Sequence, residues 1–109
     1  MTTLDTDTVE APVENLVAPA RLTSDHRHEF RRSVLEALEQ AAAVSAPVVA
    51  LDLGGTIEMD ASGLGVLVLL QKRARERGIA TRLVRVPRLV TQMLTVTRLE
   101  ALFEVEPND

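Results

Sequence analysis

Met59-Asp60-Ala61-Ser62-Gly63-Leu64-Gly65 joins a short strand-like run to a long apolar helix, and it holds the residues best suited to chemistry. Asp60 presents a side-chain oxygen where a helix cap accepts from the first free amides. Ser62 falls in the first helical turn, where unpaired N–H groups and the positive dipole end favour an anion. Gly63 and Gly65 leave the backbone bare on this turn, so another surface can approach closely. A reactive hydroxyl thus stands where negative charge and a neighbour are tolerated. A capped helix with no further role displays many of the same residues.

The other candidate groups point away from catalysis, and no enzyme is expected. Gly63-Leu64-Gly65 is followed by Val66-Leu67-Val68, so no dinucleotide loop is present, and no Walker-type loop follows a strand. His26 and His28 are two apart and cannot share a helix face as a zinc-binding pair would. Ser62 lacks the Gly-x-Ser-x-Gly elbow of a hydrolase nucleophile, and both histidines precede it. Asp52 and Asp60 bracket Gly54-Gly55; two carboxylates suit a cation or acid–base work, but no third ligand accompanies them. One turn former and one helix cap is the simpler reading. No metal and no cofactor are expected.

Composition narrows the function classes further. A chain of 109 residues fits one domain, against a prior of about 150 residues per domain. The absence of cysteine excludes a disulfide framework and fits a reducing, cytoplasmic setting. No basic segment followed by an apolar core opens the chain, so no signal peptide is expected. Gly63 to Leu70, the longest apolar stretch, is too short to span a bilayer, and no membrane insertion is expected. Phe30 and Phe103 are the only aromatic residues besides histidine, which argues against nucleic-acid binding by stacking and leaves a Leu/Val/Ala core. The net charge of −4 is unevenly spread. Both ends are acidic, whereas Lys72, Arg73, Arg75, Arg77, Arg82, Arg85 and Arg88 form a basic block interrupted by Glu76. That block reads as a solvated face or as a face for an acidic partner.

The elements that must position Ser62 follow from periodicity. Residues 1–15 read as a disordered acidic tail, 16–106 as the folded domain and 107–109 as a second tail. Leu16 to Leu22 is a candidate first strand, demoted to an edge or irregular position by Pro19. Thr23, Ser24 or Asp25 caps a helix to about Ala43, with Phe30, Val34, Ala37, Leu38 and Ala41 on its buried stripe. Val48 to Leu53 has the near-continuous apolar character of a central strand, and Thr56 to Met59 is a brief extended piece. The helix from Ala61 ends near Arg77 with Gly78 as its cap, its first half buried and its second half projecting into water. Ile79 to Val86 is a strand, Pro87 opens a third helix that falters at Thr95-Val96-Thr97, and Phe103 to Val105 is a final strand. This alternation implies crossovers over a mostly parallel sheet.

Val49-Ala50-Leu51-Asp52-Leu53, leading through Thr56-Ile57-Glu58-Met59 into Asp60-Ala61-Ser62-Gly63-Leu64-Gly65, resembles the signature of STAS domains, especially bacterial anti-sigma factor antagonists. Lys72 to Gly78, Val86-Pro87 and Leu99-Glu100-Ala101-Leu102-Phe103 are similar to the family's downstream landmarks, so the resemblance spans about Leu16 to Val105. It implies a single α/β STAS-like domain with a mostly parallel sheet of about four to five strands and about three to four flanking helices. It also implies a partner switch. Such antagonists bind a serine kinase that sequesters a sigma factor, the kinase uses ATP to phosphorylate the serine before the motif glycine, and a serine phosphatase resets it.

Residue by residue, that serine matches Ser62, the motif aspartate Asp60 and the glycine Gly63, with Ala61 and Leu64 beside them as partner contacts. Three departures stand out. Ala61 replaces a serine often found there, Thr23 stands where the family commonly has an aspartate that meets the kinase, and Arg98 replaces a frequent glycine. The resemblance carries an alternative, a STAS subunit of a lipid-transporting ABC system that binds its ATPase. Relatives of that kind tend to carry the hydroxyl at the position of Ala61.

Overall fold

Pro19 has no amide to give to a ladder, and the chain places it between two strands rather than inside one. In the computed structural model, which describes residues 12–107, β1 runs Val13–Val17 and β2 Arg21–Leu22. The Pro19 carbonyl accepts a hydrogen bond from the buried Thr56 hydroxyl at 3.0 Å. The first strand therefore begins at Val13, ahead of the expected Leu16. As a sheet edge showing Val13, Asn15 and Val17 to solvent, it carries no apolar run that periodicity could detect. Residues 1–11 of the expected acidic tail lie outside the described residues, as do 108 and 109 of the second one.

After a 3₁₀ turn at Ser24–His26 come α1 (Arg27–Ala43), β3 (Val48–Asp52), β4 (Glu58–Met59) and α2 (Ala61–Glu76). Then follow β5 (Ala80–Val86), α3 (Arg88–Val96), a 3₁₀ turn at Glu100–Leu102 and β6 (Glu104–Pro107). The main sheet is parallel throughout in the order β1-β3-β5-β6, and β2 pairs with β4 in a small parallel sheet of its own. This is the α/β architecture with a mostly parallel sheet that the alternation of elements predicts.

Register assigns the two faces of the sheet. Leu16, Leu51, Leu83 and Val105 align across it on the core side, beneath the helices, where α1 packs on β1, β3 and α2, and α2 packs on β5. Asn15, Ala50, Arg82 and Glu104 align on the opposite side, where Arg82 Nε lies 3.3 Å from Glu104 and 3.7 Å from Glu106. The apolar stripe of α1 is buried as its spacing predicts. As expected, the half of α2 beyond Leu70 is largely exposed, with Lys72, Arg73, Arg75 and Glu76 in water. Ala74 is its one buried residue, and Arg77 Nη2 reaches Glu39 Oε2 on α1 at 2.6 Å.

Each helix ends the same way. The residue after the C-cap is left-handed, at Ser45 (φ 55°), Gly78 (φ 71°) and Arg98 (φ 60°). The next amide reaches back to Ala41, Ala74 or Leu94 at 2.8, 2.8 and 2.9 Å, the Schellman pattern. Arg98 thus occupies a left-handed position that glycine adopts without strain, where an L-residue is disfavoured by about 1–2 kcal/mol. Arg98→Gly is expected to stabilise the protein by a few tenths to about 1 kcal/mol, the larger freedom of glycine in the unfolded chain offsetting part of the gain. Chemical denaturation measures this, and an unchanged or lowered midpoint would contradict it.

Candidate functional site

The start of α2 is held by one carboxylate. Asp60, extended at φ −119°, accepts from the amides of Ser62 (2.8 Å) and Gly63 (3.2 Å) with Oδ1. Its Oδ2 accepts from the amide of Ser24 at 3.0 Å, and its own amide donates to the Leu22 carbonyl at 3.1 Å. None of Thr23, Ser24 or Asp25 caps the first helix through its side chain; the cap residue of the 3₁₀ turn, Thr23, makes no side-chain cap bond. The Ser24 amide is served instead from 36 residues further on.

Gly63 completes the joint. A Cβ there would lie 2.7 Å from the Leu22 Cβ and closer still to the Leu22 carbonyl oxygen. The surface that approaches Gly63 is therefore the chain's own β2, and Gly63 is buried rather than open to a partner. This corrects the expectation that its bare backbone faces another molecule. Gly65, by contrast, borders open space, with nothing within 4 Å of where a Cβ would stand.

Ser62 is half-buried, and its hydroxyl makes no hydrogen bond to another described residue. It lines a groove of about 550 Å³ between α1 and α2, formed by Arg27, His28 and Arg31 on one side and Ala61, Ser62, Gly65, Val66 and Leu69 on the other. Ala61 is exposed at its rim, Leu64 is half-buried against the core, and Thr23 is half-buried in the segment that Asp60 ties down. The arginine side of this groove was not singled out by sequence reasoning. Its one signal is the four-residue spacing of Arg27 and Arg31, which places both on one helix face.

Asp52 and Asp60 do not form a cation site. Asp52 receives Arg85 in a forked contact, Nε at 3.0 Å to Oδ1 and Nη2 at 2.8 Å to Oδ2, and accepts from the Gly54 amide at 2.8 Å. Among the described residues, no cluster of three or more His, Asp or Glu side chains could hold a metal. Arg85 sits at φ 51° where the β5–β6 register shifts, and its guanidinium lies where a Gly54 Cβ would be. The basic block is thereby partly neutralised from within, since Arg77, Arg82 and Arg85 each meet an acid on another element. The Arg85 hydrogen bond, then the Gly54 amide, hold the Asp52 carboxyl below its ordinary range. Burial pushes the Asp60 carboxyl up, but the amides of Ser24, Gly63 and Ser62 together outweigh it, and the net shift is downward.

The family profile described as "Mlab, STAS domain" matches residues 13–104. A Thermotoga maritima protein named as an anti-sigma factor antagonist has a similar fold (TM-score 0.72, 21% identity, covering 89% of this chain and 82% of that one). So does a sulfate transporter family protein from Wolinella succinogenes (TM-score 0.71, 22% identity, covering 93% and 83%). The anti-sigma factor antagonist SpoIIAA in its unphosphorylated form is also similar (TM-score 0.61, 15% identity, covering 81% and 77%). No curated protein matches the chain by sequence.

Gly63→Ala is expected to cost about 1–3 kcal/mol, because the methyl meets backbone and cannot be relieved by a rotamer. Gly65→Ala, in open helix, should stabilise by up to about 1 kcal/mol. Equal effects in thermal or chemical unfolding would overturn the assignment of the Gly63–Leu22 contact. Because both aspartates have folded pKa values below their unfolded ones, their contribution is complete above the ordinary value of about 3.9 and is lost as pH falls through the folded values. The stability gap between wild type and Asp52→Asn should therefore narrow below about pH 4, followed by urea unfolding at stepped pH.

Proposed function

The chain belongs to the STAS domain family, and on that premise we propose that it is a non-catalytic regulatory module switched by phosphorylation of Ser62. The observation that carries this is the Ser62 hydroxyl itself, half-buried at the mouth of a groove and without a hydrogen-bond partner among the described residues, while Asp60 secures the helix start around it. Ser62 is a residue that another protein's kinase can reach without dismantling a bond the fold relies on.

A phosphate there adds about −1.5 to −2 charges at neutral pH. At the positive end of α2 such charge is favoured by about 0.3–1 kcal/mol, so the domain stays folded. Pressed into an interface against acidic or apolar groups, the same charge costs several kcal/mol and dissolves the contact. The partner in this reading is a cytoplasmic anti-sigma factor serine kinase, which docks on Ala61, Leu64, Thr23 and the Asp60 turn, and a serine phosphatase resets the switch. Likeness of fold to two anti-sigma factor antagonists supports it.

A second reading makes the chain the STAS subunit of a lipid-transporting ABC system bound to its ATPase. Likeness to a sulfate transporter family protein favours a transport setting. Ala61, standing where such subunits tend to carry the hydroxyl, favours the switch.

Incubation of the purified protein with an anti-sigma factor serine kinase and ATP should add one phosphate, and Ser62→Ala should abolish it, as read by intact-mass spectrometry. No modification, or a phosphate elsewhere, would sink the reading. Ser62→Asp should weaken kinase binding about tenfold or more with unchanged circular dichroism, although aspartate carries only part of a phosphate's charge.

A further inference from the structure

Most of the amides that ordinarily receive an anion at a helix start are already engaged here, that of Ala61 excepted. Those of Ser62 and Gly63 donate to Asp60 Oδ1, and that of Leu64 donates to the Asp60 carbonyl at 3.1 Å. A phosphate on Ser62 is left with the Ala61 amide as its backbone donor and must find its further donors elsewhere. The groove that Ser62 lines offers them from the facing helix, as Arg27, His28 and Arg31, and none of its lining residues is acidic. Arg27 and Arg31 are one turn apart on an exposed face of α1, and neither makes an ion pair with a described residue. Two of the nearby acids are turned to other work. Asp60 is bound by three amides, and Glu29 lies by His26 on the far side of α1, in a hollow with Val17, Pro19 and Phe30.

We infer that the phosphate formed on Ser62 is held within the molecule by the guanidinium groups of Arg27 and Arg31. Guanidinium matches phosphate oxygens with paired, charge-assisted hydrogen bonds, and the spacing of one helical turn presents two such forks to one ligand. The inference rests on the phosphorylation of Ser62 proposed above. In that step the Ser62 Oγ–P bond forms as the bond from the γ-phosphorus of ATP to its bridging oxygen breaks, ADP leaves, and the hydroxyl proton passes to the kinase. The consequence is regulatory. Phosphorylation would add negative charge to the docking face and at the same time withdraw two cations from it, so a partner that uses the arginines loses both contacts at once.

The test installs phosphoserine at position 62 during translation, so that its result does not depend on any kinase. ³¹P NMR then follows the second ionisation of the phosphate in this protein and in Arg27→Gln/Arg31→Gln, with His28→Gln in both so that the imidazole contributes nothing. The ordinary value is about 6. The arginines should lower it by half a unit or more, about threefold in the acid dissociation constant, and the double variant should restore it. An Nε–H resonance of Arg27 or Arg31 should also move when the phosphate is present. Equal ionisation in the two proteins, both folded by circular dichroism, would overturn the inference. Failure of the kinase to modify Ser62 would instead overturn the switch itself, leaving this measurement intact.

Discussion

The carboxylate of Asp60 is the joint on which the site depends. With its two oxygens it closes the first turn of α2 and ties down the Ser24 amide, two backbone segments 36 residues apart in sequence. A carboxylate accepting several amide bonds strongly prefers its charged form, and the downward shift of Asp60 despite the opposing effect of burial expresses that preference. Gly63 adds the steric half of the joint by letting α2 lie directly against Leu22. Remove the charge or add a methyl, and the groove between α1 and α2 loses the reference that sets its width.

A second joint, of a different kind, organises the neighbouring loop. Arg85 accepts a left-handed backbone at the irregular end of β5, and from there its guanidinium grips Asp52 beside Gly54. This pair is largely exposed, so its energetic weight is modest. Its geometric effect is the more important one, since it anchors the turn after β3 from which the chain passes to β4 and Asp60. The main sheet is correspondingly one-sided, with its core beneath the helices and a polar stripe with an Arg82–Glu104 pair on the other face.

These two joints explain how the domain could act as the proposed switch. The helix start is secured by Asp60, so changes at the Ser62 hydroxyl need not propagate into the fold. The groove beside it is cationic and open, so such changes are felt by whatever docks there. Tolerance within the molecule and sensitivity at its surface come from the same few residues.

Local chemistry was enough to read much of this from the sequence. The buried stripe of α1, the apolar β3, the Asp60 cap and the left-handed Gly78 are each written within a few residues, because side-chain periodicity and backbone sterics are short-range. The edge strand at Val13 escaped that reading because its exposed face has no apolar period. The left-handed Ser45 and Arg98 escaped it because neither residue type announces such a turn. Other features were decided only by tertiary structure. Gly63 was legible as bare backbone, but which surface it meets depended on where β2 lies. Arg27 and Arg31 were legible as helix-surface charges, but whether they share a groove with Ser62 depended on how α1 crosses α2. Interactions between residues tens of positions apart are set by packing, and packing is a property of the whole chain.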